Sequence, residues 1–367
     1  MATPATAAPF SFTHLPHPSP IAADVRAQIL ANPGFGTAFS DHMVSVTYEE
    51  GKGWHSAEVL PYGPIALDPA AAVLHYAQEI FEGLKAYRLA DGGIALFRPE
   101  ANAARFNASA ERLAMPALPD GLLVAAVEQL VRADKDWFPT VEGGSLYLRP
   151  FLFATEAFLG VRPSKQYRFL VIASPAGNYF KSGAPAVSLW VSDYSRAAPG
   201  GTGAAKCGGN YAASLVPTAE AFSRGHDQVL FLDAVERKWI EELGGMNLFF
   251  VMADGSIITP PLGGTILPGI TRESLIKLAR EEGLTVREER YSLEQWQADA
   301  TSGALTETFA CGTAAVVTPV GKVTSAADSF VIGSGGPGQL TQKLRQRLVS
   351  IQRGEAADPH GWVHRIG

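Results

Sequence analysis

Gly200-Gly201-Thr202-Gly203-Ala204-Ala205-Lys206-Cys207-Gly208-Gly209-Asn210-Tyr211 sets one lysine among small residues, with a Gly-Gly turn after it and a tyrosine five positions on. A lysine that acts as a nucleophile or imine partner has to give up its proton near neutral pH, and a cramped, partly dry site favours that. Glycines permit positive φ and let backbone approach a flat ligand or a phosphate closely. Tyr211 adds a hydroxyl close to the lysine in sequence. The same stretch also reads as a glycine-rich surface loop with one solvated lysine. The decision rests on whether the rest of the chain supplies the other parts of a site.

Working outward, helix signals follow at Tyr211–Arg224, Arg272–Glu282 and Leu340–Gln352, and apolar strands at Val187–Ser192, Val229–Asp233, Leu248–Ala253 and Thr306–Cys311. Upstream, Met43–Tyr48 and Ala57–Tyr62 are strand-like, and Ile80–Leu89 and Ile94–Arg98 flank the hairpin signal Asp91-Gly92-Gly93. Pro99 suits the first turn of a helix running to Leu113; a second helix covers Leu122–Phe138, and strands follow at Ser145–Thr155 and Tyr167–Ser174. Strands and helices cluster without strict alternation, which predicts an α+β fold. The Gly- and Pro-bearing stretch Pro175–Pro185 reads as a linker. The expected division is an amino-terminal arm at 1–35, a smaller domain at 36–175, a linker at 176–186, and a larger domain at 187–367 carrying the lysine.

The chain has 367 residues, 47% hydrophobic and 18% charged, enough for about two globular domains. A net charge of −6 argues against a nucleic-acid or anionic-membrane surface, and no apolar run is long enough for a membrane span. Residues 1–20 lack a charged start and an apolar core, so no secretory signal is read and a cytoplasmic protein is expected. Two cysteines, Cys207 and Cys311, give no disulfide framework. His14/His17 and His360/His364 have ligand-like spacing but no Cys or carboxylate cluster beside them, so no metal site is expected; His75, in apolar surroundings, reads as a packed core residue. Gly333-Ser334-Gly335-Gly336-Pro337-Gly338 follows an apolar run and matches the dinucleotide fingerprint, yet too little chain remains to complete a βαβ unit. Gly201–Lys206 lacks the Gly-Lys-Ser/Thr ending of a phosphate loop.

Taken together, the motifs resemble the branched-chain amino acid aminotransferases, within the fold-type IV pyridoxal-phosphate enzymes. The blocks stand in that family's order from Phe35 to the last helix: His75-Tyr76-Ala77, Phe81–Tyr87, Phe97-Arg98-Pro99, Tyr147-Leu148-Arg149, Lys206–Tyr211, Glu242–Asn247, Thr265–Arg272 and Cys311–Ala314. The resemblance implies two domains with the cofactor at their interface, a homodimer, and pyridoxal 5'-phosphate held as a Schiff base on Lys206. It implies reversible ping-pong transfer of the amino group between L-leucine, L-isoleucine or L-valine and 2-oxoglutarate, with L-glutamate and the 2-oxo acids as the other partners.

By the same resemblance Glu242 stands beside the pyridine nitrogen, which works as an electron sink best when protonated. Glu241 next door is the surface-acid reading, and a one-residue slip between them stays open in sequence. Tyr211 is matched to the ring's phenolic oxygen and Leu267 to the ring face. The phosphate is matched to Arg105, to the start of a helix at Ile270 and Thr271, and to Thr313. Phe35, Tyr76, Phe81, Tyr147 and Tyr179 match an aromatic substrate pocket. Arg149 is matched to glutamate's distal carboxylate, and Thr313 and Ala314 to the α-carboxylate.

Two departures stand out. Animal members carry a Cys-x-x-Cys pair where this chain has Ala315 and Thr318, so no thiol switch is expected there; Gly245 replaces a threonine found in some relatives. D-amino acid aminotransferases and aminodeoxychorismate lyases share the fold and are the nearest alternatives, but Tyr147-Leu148-Arg149 and the long amino-terminal portion favour the branched-chain enzymes. A cofactor-binding protein without turnover is the alternative of a different class; the presence of every catalytic block argues against it.

Overall fold

Half-buried alternation and continuous apolar runs sort the strands of this chain into two kinds of sheet. The computed structural model describes residues 10–177 and 186–367. In chain order the elements are β1 (Thr13–His14), α1 (Ala23–Ala31), β2 (His42–Glu49), β3 (Gly53–Pro61), α2 (Val73–Tyr76), β4 (Glu79–Phe81), β5 (Leu84–Arg88), β6 (Ile94–Phe97), α3 (Pro99–Arg112), α4 (Leu122–Ala133), β7 (Ser145–Ala154) and β8 (Gln166–Ala176). There follow β9 (Val187–Val191), α5 (Gly208–Ala212), α6 (Leu215–Ser223), β10 (Gln228–Leu232), β11 (Ile240–Leu243), β12 (Asn247–Met252), β13 (Ile257–Thr259) and α7 (Ile270–Glu281). The chain closes with β14 (Val286–Glu288), α8 (Leu293–Ser302), β15 (Leu305–Gly312), β16 (Val316–Thr324), β17 (Ser329–Val331), α9 (Gln339–Gln352) and β18 (Val363–Ile366). Two compact units result, Met1–Ala86 with Leu113–Gly177, and Tyr87–Arg112 with Asn178–Gly367.

In the first unit β1-β3-β2-β8-β7-β5 form a sheet with β4 on β7, antiparallel throughout except for the β1–β3 pair. The long β7–β8 pairing runs from Ser145↔Ala176 to Ala154↔Tyr167. Helix α4 turns Leu123, Ala126, Val127 and Leu130 inward at helical spacing, and all four are buried.

In the second unit β11-β10-β9-β16-β15-β12 are joined in that order, and β11 pairs back onto β12, so the six strands close a ring. The closing pair is Glu242↔Asn247. β12 is buried on both faces, which accounts for its unbroken apolar run. Leu248 and Phe250 pack with Leu230 and Trp296 on one side, while Phe249 and Val251 meet Leu275 and Leu278 of α7 and Leu344 and Leu348 of α9 on the other. Full burial of one such phenylalanine contributes about 1.5–3 kcal/mol.

Several elements differ from the sequence reading. The segment Tyr211–Arg224 is two helices, α5 and α6. Pro217 lacks an N–H and would clash with a preceding carbonyl inside a continuous helix, so α6 restarts at Leu215 and places Pro217 in its first turn. Ile80–Leu89 is interrupted at Glu82-Gly83 into β4 and β5. Leu122–Phe138 ends its α-helix at Ala133 and tightens to a 3₁₀ turn at Lys135–Trp137. Residues 23–31, inside the expected arm, form α1. His75 is exposed and not packed in the core.

The dinucleotide-like glycine run leads into α9, whose N-terminus is filled from within the chain. The Glu307 carboxylate accepts the Leu340 and Thr341 N–H groups at 3.0 and 2.8 Å and the Thr341 hydroxyl at 2.7 Å. An anion site at a helix start is here satisfied by a side chain.

Candidate active site

The lysine loop is held by its own polar residues. Buried Asn210 donates from Nδ2 to the Thr202 and Ala205 carbonyls at 2.8 and 2.9 Å and accepts the Thr202 hydroxyl at 2.7 Å. Gly203 lies against Thr265: a Cβ there would stand 2.4 Å from the Thr265 carbonyl oxygen, so only glycine allows this approach. The Lys206 N–H donates to Ser109 Oγ at 2.9 Å, and its Nζ donates to Tyr211 Oη at 2.7 Å. Tyr211 is on α5, which starts immediately after Cys207 and so returns the phenol to the lysine.

Glu242 sits at the ring closure, 2% exposed. Its Oε1 accepts from Arg196 Nη1 at 2.7 Å and from the Leu267 N–H at 3.1 Å. Its Oε2 receives, among the described residues, only a long 3.4 Å approach from Asn247 Nδ2. Burial pushes the Glu242 carboxyl up to about 7, against the pull of Arg196, the Leu267 N–H and Lys206, while Glu241 adds to the rise. Glu241 is buried too, but it accepts the Thr265 hydroxyl at 2.5 Å. Successive strand residues point to opposite faces, so the two acids serve different surroundings.

Asn247 also donates to the Leu267 carbonyl at 3.1 Å, linking β12 to the loop that leads to Pro268-Gly269 and α7. Arg105 of α3 donates from Nη1 to the Pro268 carbonyl at 3.0 Å. Ile270 and Thr271 open α7, and its first intrahelical bond runs from the Glu273 N–H to the Gly269 carbonyl, so their amides precede the ladder. Thr313 and Ala314 occupy the turn between β15 and β16. Every residue matched to the cofactor belongs to this second unit.

The residues matched to the substrate side chain form a separate group in the first unit. Phe35 and Tyr147 meet edge to face at 5.0 Å. The Arg149 guanidinium lies 4.8 Å from the centre of the Phe81 ring and 5.5 Å from that of Tyr147, and donates to Tyr147 Oη at 3.3 Å. Arg149 Nε is buried and makes no hydrogen bond among the described residues. At Gly83 a Cβ would fall 2.1 Å from Tyr147 Oη, so the β4–β5 break is where the tyrosine tip rests. Tyr76 is exposed; its hydroxyl donates to the Leu159 carbonyl and its ring meets His75. Tyr179 lies outside the described residues, as does most of the expected linker.

Residues 79–323 match the amino-transferase class IV family, and the chain belongs to that family. It is 57% identical over 367 residues to the branched-chain-amino-acid aminotransferase of Mycobacterium tuberculosis, spanning 99% of this chain and 100% of the relative. Among solved structures, the Escherichia coli branched-chain amino acid aminotransferase superposes with a TM-score of 0.73 at 31% identity, covering 88% of this chain and 100% of that one. The branched-chain amino acid aminotransferase from Thermobaculum terrenum in its PLP-form gives 0.71 at 25%, covering 88% and 98%. The fold is the α+β fold of type IV aminotransferases.

The donor set suits a phosphorylated pyridine aldehyde. A lysine amine bonded to a phenol, a buried carboxylate with one oxygen nearly unpaired, and an arginine beside a helix start are the groups such a molecule requires. Sequence reasoning did not assign Ser109, Asn210, Asn247 or Arg196. Asn210 and Asn247 stand inside quoted motifs and were visible as polar residues in apolar or glycine-rich runs. Ser109 and Arg196 carry no local signal, because their partners are distant in sequence.

Proposed function

We propose that this chain is a branched-chain amino acid aminotransferase that uses pyridoxal 5'-phosphate bound at Lys206, Tyr211, Glu242 and the start of α7. The observation that carries the reading is the 2.7 Å contact between Lys206 Nζ and Tyr211 Oη, in the same unit as the buried, arginine-paired Glu242. When bound, the cofactor supplies a carbonyl for the amino group and an electron sink for the electrons left at the substrate α-carbon.

The chain's residues supply the rest. Lys206 Nζ removes and returns the α-proton, and Tyr211 Oη orients that nitrogen and shares its charge. Glu242 would stand beside the ring nitrogen, its Oε2 accepting the hydrogen bond of the ring N–H. Arg105, the amides of Ile270 and Thr271, and Thr313 take the phosphate; Leu267 bounds the ring face. Thr313 and Ala314 receive the α-carboxylate. The aromatic group of Phe35, Phe81 and Tyr147, with Tyr76 and Tyr179, receives a branched aliphatic side chain and excludes water from it. Arg149 answers the second carboxylate of glutamate; its Nε is buried and has no hydrogen-bond partner among the described residues. Substrate partners are thus branched-chain L-amino acids, their 2-oxo acids, and the L-glutamate/2-oxoglutarate pair, turned over by a cytoplasmic homodimer. Among the described residues no helix is long and apolar enough to cross a membrane.

Visible absorption of the protein loaded with pyridoxal phosphate tests this reading. A yellow band that L-leucine and L-glutamate remove, and D-alanine does not, is expected; the Lys206→Ala protein should lack the parent band. A response to D-alanine alone would assign the D-specific branch, and no band at all would sink the cofactor assignment.

A further inference from the structure

Arg196 follows β9 in sequence and is 5% exposed, although nothing in its local sequence marks it. Its Nη1 reaches three oxygens: Glu242 Oε1 at 2.7 Å, the Thr265 carbonyl at 3.1 Å and the Gly203 carbonyl at 3.4 Å. Those acceptors belong to the buried acid, to the loop that carries Leu267, and to the lysine loop. Both side chains of the ion pair are almost fully withdrawn from water, at 2% and 3% exposure.

We propose that Arg196 is a positioning residue that keeps the Glu242 carboxylate ionised and turned so that Oε2 faces the bound cofactor, leaving their shared proton on the ring nitrogen. This rests on the pyridoxal-phosphate reading above. The geometry supports it in two ways. Arg196 and the Leu267 N–H both bind Oε1, which fixes the carboxylate plane and, among the described residues, leaves Oε2 with only the 3.4 Å Asn247 approach. A buried carboxylate without a counter-charge takes up a proton, and a neutral acid cannot hold a second proton on a neighbouring nitrogen.

The charges acting on Glu242 come from three directions. Arg196 and Lys206 favour its ionised form, and Glu241, its neighbour on β11, opposes it. Lys206 is the group engaged by the cofactor, so Arg196 is the cation left to hold the acid charged once the site is loaded. The proton balance is simple: N–H⁺ with ⁻O becomes N with H–O, one proton moving from ring nitrogen to Oε2 and net charge unchanged. Losing the ring proton weakens the electron sink.

The decisive measurement is the ¹⁵N signal of ring-labelled pyridoxal phosphate bound to the parent, to Arg196→Gln and to Arg196→Lys. Expected is a protonated ring nitrogen in the parent, a shift towards the unprotonated signal in Arg196→Gln, and recovery of the parent signal in Arg196→Lys, which restores the cation. Identical signals in the parent and Arg196→Gln overturn the proposal. A parent protein that takes up no pyridoxal phosphate overturns the reading beneath it, and the proposal with it.

If Arg196→Gln takes up no cofactor, the cofactor-free proteins decide. The proposal expects Arg196→Gln to be more destabilised at about pH 8 than at about pH 5, and Arg196→Gln/Glu242→Gln to regain stability by losing the uncompensated charge. Equal destabilisation at both pH values with no rescue in the double variant would assign Arg196 a packing role and overturn the proposal.

Discussion

The phenol of Tyr211 accepts a 2.7 Å hydrogen bond from the Lys206 amine, and in the proposed reaction that oxygen carries a measurable share of the chemistry. Hydrogen bonds to charged groups contribute about 1.5–3 kcal/mol, which converts to roughly 10- to 150-fold in rate. Tyr211→Phe should lower kcat/KM for L-leucine by about that factor while leaving the thermal midpoint nearly unchanged, since the ring stays; steady-state kinetics and a melting curve check both halves. Glu242 makes a prediction of opposite kind, about stability. Its folded-state carboxyl titrates near 7 against an ordinary 4.5, because burial disfavours the charge. The folded chain therefore binds more protons than the unfolded chain between those values, and Glu242 costs stability as pH rises from 4.5 to 7. Cofactor-free Glu242→Gln should lose that part of the pH slope, and a slope identical to the parent's would contradict it. Lys206, Tyr211 and the pair Glu241-Glu242 sit in short motifs and so were readable as candidates in sequence, the choice of Glu242 resting on the family resemblance. Arg196 was not, because its acceptors at Gly203, Glu242 and Thr265 come together only when the β11–β12 closure forms.

At the scale of elements, α9 and the β4–β5 break show how local sequence signals are overruled by a partner. The glycine run before α9 reads as a phosphate cradle, and the helix start is there, but Glu307 on β15 already occupies it. Glu307→Ala removes both acceptor oxygens and exposes the first-turn amides, a cost of about 1–2 kcal/mol. At roughly 2–4 °C per kcal/mol for a domain of this size, the melting point should fall by several degrees. NADH fluorescence should be unaffected by the intact protein. At the other break, Gly83 is required by the tip of Tyr147 and not by the turn itself. Gly83→Ala must displace that ring, an overpacking cost of about 1–3 kcal/mol. It should raise KM for L-leucine while sparing the visible band of the bound cofactor, whose matched residues all lie in the second unit. Loss of the band would place Gly83 in the cofactor's support instead. Periodicity located the major strands on either side of these points; it could not show that Pro217 splits α5 from α6, a consequence of one missing N–H.

The whole molecule is divided in a way that a linear reading does not display, because Tyr87–Arg112 belongs to the second unit although it lies in the first half of the chain. That segment is more than a connection. Tyr87 and Phe97 are in the core cluster with Phe249, Leu275 and Leu344, and β6 pairs with β18 from Phe97↔Val363 to Ile94↔Ile366. Arg98 donates to Ser274 Oγ at 2.8 Å, Arg105 to the Pro268 carbonyl, Arg112 to the Gly200 and Gly201 carbonyls, and Ser109 receives the Lys206 N–H. Residues 186–367 expressed alone would lose two large core side chains, each costing about 3–5 kcal/mol when truncated to alanine, which is comparable to the whole stability of an ordinary domain. They would also expose the β18 edge to pairing with other chains. The fragment should therefore show no cooperative melting transition and no yellow band with pyridoxal phosphate, although it contains Lys206, Tyr211, Glu242, Ile270, Thr271 and Thr313. Joining 87–112 to its amino terminus through a flexible linker should restore both properties, because the missing strand and helix then return at high effective concentration. Circular dichroism melting of the two proteins, followed by a cofactor titration, decides the matter. A fragment that melts cooperatively and binds the cofactor unaided would show that the ring of strands carries the site without α3.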